Sequence, residues 1–546
     1  MLKCADLTER FQHADTRLTK VEALAEGAVK PPGIVEAMPA HCVVSGAMEE
    51  RTSPVDGKRY AISFEMRLPT AWNGRFFYQA NGGLDGFVTP AYGDTLGGGP
   101  RSNALQRGFA VISSDAGHAL ERNVPGIGGG TFGIDPQARL NYGYQAVAKL
   151  TPMAHALIAR YYGRPADTSY LVGTSNGGRH GFVAAARDTG RYDGIAVVTP
   201  GWRLPRAALA QVWGAQQFAK AAPIDAKTGR PDLKASISAA DMALVSARVL
   251  AHCDALDGLV DGIVADTIAC QRQFDIQRDV PTCAAAAPND GCLSTAQKTA
   301  LAAVFAGPTL RDGRAVYAPL AWDAGLRGTD WRTWKLEHSV GPRDAVAMAY
   351  VFSTPPASPT VVSGQGTTLQ DFALGLDVER GIGIVDAVAA PYTESAMQFM
   401  TPPDAQRMAS FVARGAKLLV AHGVADPVFS ALDSVNWYEA FRAHHGASTE
   451  RTTRLYLVPG MNHSRGGIAT DQFDLLTPLV AWVERGEAPQ ALIATARGPG
   501  SNLPNPELPA NWSAQRTRLL CPFPQVARYR GQGDGELAAN FHCVAP

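Results

Sequence analysis

The sequence predicts an α/β protein in which helices cover both faces of a mostly parallel β-sheet. Short apolar runs of strand length alternate with helical stretches up to about residue 200, and the alternation returns after residue 416. Alternating strands and helices are typical of parallel sheets. At 546 residues, the chain is too long for one ordinary core, which indicates several domains or one domain with a large insertion.

The elements can be placed in order along the chain. Residues 61–68 alternate between apolar and polar side chains, as expected of a half-buried strand. Further strands are predicted at residues 75–79, 108–114, 170–172, 195–200, 416–423 and 454–460, and helices at residues 144–162 and 434–444.

The middle of the chain differs from both ends. Residues from about 205 to 400 lose the alternation and contain four cysteines and many aromatic and proline residues. We therefore predict a core formed by residues 1–204 and 401–546, with residues 205–400 inserted as a cap. The Pro- and Asn-rich tail begins near residue 500.

Bulk composition excludes several classes of partner. Hydrophobic residues make up 46% of the chain and charged residues 18%, and 50 basic residues balance 50 acidic ones. This balance gives no reason to expect binding to nucleic acid or to an anionic membrane. No apolar run approaches the roughly 20 residues that span a bilayer. A small-molecule substrate is the expected partner.

The eight cysteines indicate disulfides, although eight cysteines allow 105 connectivities. No Cys-x-x-Cys pair is present, which disfavours a zinc site made of thiolates. Four disulfides imply an oxidising compartment, either the periplasm or outside the cell. The sequence begins Met1-Leu2-Lys3-Cys4 with no apolar signal segment, so either the export signal is absent from this sequence or the cysteines are reduced. The simplest pairing joins sequence neighbours: Cys4 with Cys42, Cys253 with Cys270, Cys283 with Cys292, and Cys521 with Cys543.

A candidate nucleophile lies between a predicted strand and a predicted helix. Gly173-Thr174-Ser175-Asn176-Gly177 matches the pattern Gly-x-Ser-x-Gly, which needs its glycines because the serine occupies a strained turn. In a chain with 55 glycines the pattern alone is about as consistent with an ordinary turn. The strand before it and the helix after it favour a nucleophile.

The serine needs a base, and the base needs a carboxylate that fixes its tautomer. In this type of fold the acid and then the histidine follow the serine, each on a loop after a strand. Asp426 follows the strand at 417–421, and His463 follows the strand at 454–458. Ser175, Asp426 and His463 are therefore the predicted triad. An aspartate at a strand end is more often a helix cap, so Asp426 is selected by its place in this order.

Three other histidines are weaker candidates for the base. His118 also follows a strand, but it precedes the serine. His180 lies on the helix of the nucleophile and is expected to pack there, and His422 is expected to be structural beside the acid loop.

An oxyanion hole is predicted from two backbone N–H groups. One belongs to Asn176, the residue after the nucleophile, and the other to Gly82 or Gly83 in the loop after an early strand. An ordinary turn at Gly82-Gly83 is an equally good interpretation of those two residues alone.

A loop in the inserted segment gathers Asp254, Asp257 and Asp261 with glycines between them. Oxygen-rich, sharply turning loops suit Ca²⁺. The loop is not an EF-hand, because Ala265 stands where a bidentate Glu is required. A solvated turn is the alternative. A cation here would be structural, since the loop lies far in sequence from Ser175.

Together these features resemble the tannase and feruloyl esterase family over nearly the whole chain. The resemblance rests on residues 173–179, 254–263, 422–427, 458–463 and 521–529. It implies an α/β-hydrolase core with a large lid, a Ser-His-Asp triad and a structural calcium. The implied calcium ligands are the side chains of Asp254, Asp257 and Asp261 and the backbone carbonyls of Leu259 and Ile263. The four cysteine couples match the structural disulfides of that family.

One departure from the family is clear. Members usually carry a Cys just before the nucleophile and another just after the histidine, bonded together. Here those positions hold Thr174 and Ser464, so packing or hydrogen bonds, for example between these two side chains, must hold the loops instead.

The expected activity is hydrolysis of esters of aromatic acids, phenolic or phthalate-like, through an acyl-enzyme. Non-aromatic esters, amides or peptides as substrates, acyl transfer to an alcohol, and a non-catalytic secreted binding protein are the alternatives. Arg332 or Lys335 could bind a carboxylate or phenol. Candidates to stack on an aromatic acyl group, if they are not core residues of the lid, are Trp331, Trp334, Tyr350 and Phe352.

Overall fold

The computed structural model describes residues 1–97, 102–120, 129–187, 190–284, 291–358, 361 and 367–546. A nine-stranded sheet forms its centre, in the order β1-β2-β3-β5-β4-β6-β7-β8-β9. Two small two-stranded sheets, β10-β11 and β12-β13, come from the tail. The strands are β1 (Thr16–Leu24), β2 (His41–Thr52), β3 (Arg59–Pro69), β4 (Arg75–Ala80), β5 (Ala110–Ser114), β6 (Thr168–Thr174), β7 (Gly194–Val198), β8 (Lys417–Gly423), β9 (Thr453–Val458), β10 (Leu492–Thr495), β11 (Thr517–Leu520), β12 (Val526–Tyr529) and β13 (Phe541–Val544).

Helices connect these strands. The α-helices are α1 (Leu7–Arg10), α2 (Pro136–Leu140), α3 (Ala146–Tyr162), α4 (Asn176–Arg187), α5 (Leu204–Ala219), α6 (Leu233–Ser236), α7 (Ala239–Cys253), α8 (Thr267–Gln273), α9 (Ile276–Asp279), α10 (Thr295–Ala306), α11 (Thr329–Leu336), α12 (Asp344–Val346), α13 (Thr367–Gly375), α14 (Val378–Asp386), α15 (Ala396–Met400), α16 (Ala409–Ala413), α17 (Ala431–His445), α18 (Ser448–Thr452) and α19 (Leu476–Arg485). Short 3₁₀ turns occupy Cys4–Asp6, Gly130–Ile134, Asp254–Asp257, Ala324–Arg327, His338–Val340 and Ala538–Asn540, and π-helical turns occupy Asn141–Gln145 and Ala347–Val351.

The predicted fold class is confirmed. β1, β2, β3 and β5 pair antiparallel at one edge, and the six strands from β5 to β9 along the sheet pair parallel. The strands at the centre of the sheet are buried along almost their whole length. They are short apolar runs because helices cover both of their faces.

Parallel pairing places the loops of the predicted triad together. The registers Ala80↔Gly173, Thr174↔Val198 and Gly423↔Val458 align the carboxyl ends of the neighbouring strands. Loops that are distant in sequence therefore meet at one edge of the sheet, which is where open α/β sheets present their ligands.

The segment between β7 and β8 contains no strand of the main sheet in the part of the chain that the structure describes. The chain leaves the sheet after Val198, forms α5 to α16, and returns to pair with β7 through Gly194↔Lys417. We call this segment the insertion. Its predicted limits, residues 205 and 400, stay a prediction.

Four disulfides join the cysteines in the simplest pairing that the sequence suggests: Cys4–Cys42, Cys253–Cys270, Cys283–Cys292 and Cys521–Cys543. Among the described residues, no helix combines the length and apolar character needed to cross a bilayer.

Candidate active site

Ser175 occupies a strained turn between β6 and α4. Its φ is +60°, a left-handed conformation that side-chain-bearing residues rarely adopt. The two flanking glycines permit the turn. A Cβ on Gly173 would lie 2.4 Å from the carbonyl oxygen of Gly177, and a Cβ on Gly177 would lie 2.3 Å from that of Ala80. Only glycine fits at either place, as the motif predicts.

The three predicted triad residues meet in the structure. His463 Nε2 lies 2.8 Å from Ser175 Oγ, and His463 Nδ1 lies 3.0 and 3.1 Å from the two carboxylate oxygens of Asp426. With the proton on Nδ1, the imidazole donates to Asp426 and accepts from the serine hydroxyl. This is the arrangement that lets a histidine deprotonate a serine.

The surroundings of Asp426 favour its ionised form. Burial opposes ionisation of Asp426, but the two neighbouring histidines and their hydrogen bonds hold its pKa below the usual value. Its Oδ1 also accepts from the N–H groups of Val428 and Phe429 at 2.7 and 3.2 Å. Asp426 is therefore an oriented carboxylate and not a helix cap.

The pKa of His463 is raised from its usual value. Burial lowers this pKa, but the charge of Asp426, the hydrogen bond to it and the charge of Asp330 outweigh the burial, while Arg343 acts to lower it. Because Asp330 and Arg343 lie in the insertion, that segment tunes the proposed base.

The rival histidines have structural partners. His118 Nε2 lies 2.7 Å from the carbonyl oxygen of Leu84, and its ring stacks on Phe132 with centroids 3.5 Å apart. His180 is buried on α4. His422 Nδ1 lies 2.8 Å from Ser434 Oγ, and its Nε2 faces the buried acid loop.

The candidate oxyanion residues also lie at the serine. Asn176 is the first residue of α4. A Cβ on Gly82 would lie 3.7 Å from Ser175 Cβ, so the turn after β4 approaches the nucleophile closely. The structure thus brings Asn176, Gly82 and Gly83 close to Ser175, and their role as oxyanion donors stays a prediction.

A cluster of three hydroxyls links the serine loop to the histidine loop at Thr174 and Ser464. Thr174 Oγ1 donates to Ser464 Oγ at 2.6 Å, and Ser464 Oγ lies 3.0 Å from Thr199 Oγ1. Thr174 Oγ1 lies 3.4 Å from Thr199 Oγ1. We call Thr174, Thr199 and Ser464 the hydroxyl clasp. It joins the serine loop to the histidine loop without a covalent bond.

A pocket opens on Ser175 and is walled by both the core and the insertion. Its lining residues are Gly83, Leu84, Tyr142, Ser175, Asn176, Leu204, Trp334, Arg343, Asp344, Ala347, Phe352, Val428 and Phe429. Trp334 and Phe429 also contact the imidazole of His463, with ring centroids 5.3 and 5.5 Å from it.

Two of the four aromatic residues considered for the pocket lie in it, namely Trp334 and Phe352. The other two are core residues. Trp331 is fully buried and packs against Phe218 and Phe305, and the buried Tyr350 donates its hydroxyl to a backbone carbonyl.

Neither cation considered for substrate binding is in the pocket. Arg332 donates to the carbonyl oxygens of Lys234 and Ile237. Lys335 is buried, donates to Gln211 Oε1 at 3.0 Å, and has its pKa lowered to about 7 by burial.

The cation in the pocket is Arg343, which sequence reasoning missed. Among the described residues, no hydrogen bond or ion pair holds its guanidinium, and Nη1 lies 3.0 Å from where a Cβ on Gly83 would be. Its neighbour Asp344 accepts from Trp334 Nε1 at 3.0 Å, and burial raises the pKa of Asp344 to about 7. Nothing in the local sequence distinguishes Arg343 from other arginines.

The aspartate loop folds tightly in the insertion. Asp254 accepts from the N–H groups of Asp261 and Gly262 at 3.0 Å, and Asp261 is paired with Arg518. Burial, followed by the charges of Asp261 and Asp254, raises the pKa of Asp257 to about 7. The loop therefore brings three carboxyl groups together, one of them already paired with Arg518. Carboxyl oxygens are the donor type that Ca²⁺ prefers.

A serine on a strand–turn–helix of a mostly parallel sheet, hydrogen-bonded to a histidine that contacts an aspartate, is the arrangement typical of serine hydrolases with the α/β-hydrolase fold. Comparison with known proteins makes the class more specific. The family model of tannase and feruloyl esterase matches residues 42–544. The chain belongs to this family and is a carboxylic ester hydrolase.

Individual relatives agree with this family. The chain is 40% identical over 536 residues to the mono(2-hydroxyethyl) terephthalate hydrolase of Piscinibacter sakaiensis, covering 93% of the chain and 86% of that protein. It is 27% identical to a probable feruloyl esterase of Arthroderma benhamiae, covering 89% and 83% of the two chains.

Solved structures share the fold. Feruloyl esterase B from Aspergillus oryzae aligns with a TM-score of 0.71 at 20% identity over 99% of both chains. The tannin acyl hydrolase from Aspergillus niger aligns with a TM-score of 0.67 at 18% identity over 100% of this chain and 95% of the other.

The clasp can be tested by removing one hydroxyl. Thr174→Val keeps the shape of the side chain but removes its hydrogen bonds, each worth about 1 kcal/mol. We expect kcat/KM on p-nitrophenyl acetate to fall about fivefold. Thr174→Ser keeps Oγ and should stay near wild type. Equal activity of the valine and serine variants would show that the clasp does not hold the loops.

The pKa shift of His463 predicts the pH profile. Hydrolysis needs the neutral imidazole, so kcat/KM should rise with pH and reach half its plateau above pH 6.5. Asp330→Asn removes a charge that raises this pKa and should move the midpoint down, while Arg343→Gln should move it up. Both midpoints are measured with a neutral ester as the substrate. Midpoint shifts of the same sign in the two variants would contradict the assignment of His463 as the base.

Proposed function

We propose that this hydrolase cleaves esters of aromatic carboxylic acids, with Ser175 as nucleophile, His463 as base and Asp426 as the carboxylate that orients the base. The supporting observation is the continuous hydrogen-bond chain from Ser175 Oγ through His463 to Asp426, with distances of 2.8 and 3.0 Å. Ser175 lines a pocket whose wall comes partly from the insertion.

In the acylation step, His463 Nε2 takes the proton of the Ser175 hydroxyl while Oγ attacks the ester carbonyl carbon. The carbonyl oxygen gains negative charge, and the N–H groups of Asn176 and of Gly82 or Gly83 stabilise it. His463 then donates the proton to the departing alkoxide, which leaves as the alcohol and gives the acyl-enzyme.

In the deacylation step, His463 takes a proton from water, whose oxygen attacks the acyl carbon. Collapse of the second tetrahedral intermediate breaks the bond to Ser175 Oγ, and His463 returns the proton to the serine. The carboxylic acid is released and the enzyme is restored. Asp426 stays ionised throughout and stabilises the imidazolium that forms twice.

The pocket wall supports a narrower substrate class. Phe352, Phe429 and Trp334 offer faces for an aromatic ring, and Arg343 offers a guanidinium that makes no hydrogen bond or ion pair with the described residues. A planar guanidinium binds a carboxylate through two hydrogen bonds. We therefore propose monoesters of aromatic dicarboxylic acids as good substrates. The relative from Piscinibacter sakaiensis, named for hydrolysis of such a monoester, agrees with this class.

The insertion, residues 205–400 as predicted, is proposed to act as the lid that forms this specificity pocket. Trp334, Arg343 and Phe352 supply part of its wall. Because the core supplies Ser175 and the insertion supplies Arg343, the reaction type and the substrate choice reside in different parts of the chain.

A matched pair of esters tests the proposed role of Arg343 in substrate binding. Monomethyl terephthalate and dimethyl terephthalate differ in one charge. Arg343→Gln should raise KM for the monoester by 10- to 100-fold, the loss of a charged hydrogen bond worth about 1.5–3 kcal/mol. The same substitution should leave KM for the diester nearly unchanged. Arg332→Gln, a cation outside the pocket, is the matched control and should leave both substrates unaffected.

Ser175→Ala should remove hydrolysis of all esters, with turnover falling by about 10⁶. A wider panel then separates the remaining alternatives. Activity on p-nitrophenyl acetate alone would exclude aromatic acids as the substrate class. Cleavage of anilides would indicate an amidase, and ester products formed in the presence of an alcohol would indicate an acyltransferase. A folded protein inactive on every substrate would contradict the proposed catalytic role.

We also propose that the aspartate loop holds one structural Ca²⁺. The side chains of Asp254, Asp257 and Asp261 and the carbonyls of Leu259 and Ile263 would hold it, and the cation would offset the buried negative charge. Since the described residues contain no preformed group of three His, Cys, Asp or Glu side chains arranged for a metal, backbone carbonyls are needed to complete the shell.

Calcium removal tests this site without measuring activity. Chelation with EGTA should lower the melting temperature, because a ligand at 100 times its Kd stabilises a protein by about 2.7 kcal/mol. CaCl2 should restore the melting temperature and MgCl2 should not. Asp257→Asn should make the protein insensitive to EGTA. An unchanged melting temperature, with no calcium found by elemental analysis, would contradict the proposal.

The compartment follows from the disulfides. Four cystines persist in an oxidising environment and are rare in the cytosol. We propose that the protein works in the periplasm or outside the cell, on small-molecule esters.

A further inference from the structure

The turn after β4 has two of its carbonyl oxygens fixed by donors. The oxygen of Gly82 accepts from the N–H of Asp85 at 3.1 Å, and the oxygen of Gly83 accepts from the Tyr142 hydroxyl at 3.0 Å. In a trans peptide the C=O and the following N–H point in opposite directions. Fixing the Gly82 carbonyl therefore fixes the direction of the Gly83 N–H, one of the candidate oxyanion donors.

Asp85 also contacts Asn176, the residue whose backbone N–H is the other candidate oxyanion donor. Its Oδ1 accepts from Asn176 Nδ2 at 2.6 Å, and its Oδ2 lies 3.3 Å from His180 Nε2. Asn176 and His180 both belong to α4, the helix whose first N–H is the second candidate donor. Asp85 thus contacts the glycine turn through its main chain and the nucleophile helix through its side chain.

A buried arginine contacts the other end of the Asn176 side-chain amide. Arg179 Nε donates to Asn176 Oδ1 at 2.6 Å, so the Asn176 amide lies between a guanidinium and a carboxylate. All three residues are at most 2% exposed. Both polar ends of the amide are satisfied by charged partners, which fixes the Asn176 side chain in one orientation.

The conformation of Asp85 is itself unusual. Its φ is +39°, outside the range that most residues adopt. The strain persists because the buried side chain and the main-chain N–H are both held. A turn residue held in this way gives the loop one shape before substrate arrives.

We propose that Asp85 is a positioning residue of the oxyanion hole. It sets the separation between the Gly82-Gly83 turn and the amino end of α4, so that their N–H groups face the same oxygen. The inference rests on the proposed catalytic role of Ser175. An oxyanion hole works only when its donors lie 2.7–3.1 Å from the developing oxyanion, so a small shift of either element weakens it.

Two substitutions at Asp85 separate positioning from folding. Asp85→Ala removes both side-chain bonds, and kcat on p-nitrophenyl acetate should fall by about 10²-fold, with a much smaller change in KM. Asp85→Asn keeps an oxygen that can accept from Asn176 and should recover most of this loss. Each rate is divided by the concentration of active sites, counted by titration with a fluorophosphonate that reacts with the nucleophilic serine.

Inhibitor affinity is a second measurement, and a purely structural role of Asp85 would not change it. Phenylboronic acid forms a tetrahedral adduct on a nucleophilic serine and directs an oxygen into the hole, whereas benzoate does not. Asp85→Ala should weaken the boronate by about the same factor as kcat and leave benzoate affinity unchanged. If Asp85→Ala does not fold, Asn176→Ala breaks the same link from the other end, keeps the backbone N–H, and should show the same pattern.

The control is Asp241→Asn, in which a buried aspartate of the insertion loses its charge. Asp241 accepts from Ser238 N–H and Gln297 Nε2, away from the pocket. Its substitution should lower stability but not kcat per active site. Wild-type kcat and boronate affinity in Asp85→Ala, or in Asn176→Ala where that variant is used, would overturn the inference. Ester hydrolysis by Ser175→Ala would instead overturn the proposed function.

Discussion

The hydrogen bond between Ser175 Oγ and His463 Nε2 is the interaction on which the proposed function of this structure depends. It joins residues 288 positions apart in the chain at a distance of 2.8 Å. The sheet makes this possible, because the parallel strands β6, β8 and β9 end at one edge and present the serine, acid and histidine loops side by side. The strained turn at Ser175 and the buried Asp426 are both costs that the surrounding core offsets.

The insertion holds the histidine loop as well as lining the pocket. Asp323 Oδ1 accepts from the N–H groups of Gly325 and Gly460, and Asn462 Nδ2 donates to the carbonyl oxygen of Gly325. Trp334 packs on the imidazole itself. Together with the hydroxyl clasp on the side of the serine loop, these contacts hold His463 from two directions without a covalent bond between the loops.

The sequence predicts the residues that belong to a local motif or that follow the strands in a fixed order along the chain. Ser175 follows from a motif between a strand and a helix, and Asp426 and His463 follow from their places after later strands. Arg343 could not be found in this way, because its role comes from how the insertion folds over the core. For the same reason Trp331 is core while Trp334, three residues later on the same helix, faces the pocket. Asp85 was likewise hidden, since only the folded chain brings its carboxylate to Asn176.

Trapping the acyl-enzyme tests most directly whether Ser175 is the nucleophile. The protein is mixed with an activated aromatic ester, quenched in acid within milliseconds, digested and analysed by mass spectrometry. We expect an aromatic acyl group on the peptide that contains Ser175, and none in Ser175→Ala. In Asp426→Asn the acyl group should accumulate, because it forms faster than it is hydrolysed. An acyl group on another residue, or steady turnover of the ester with no covalent adduct at any time, would contradict this role of Ser175.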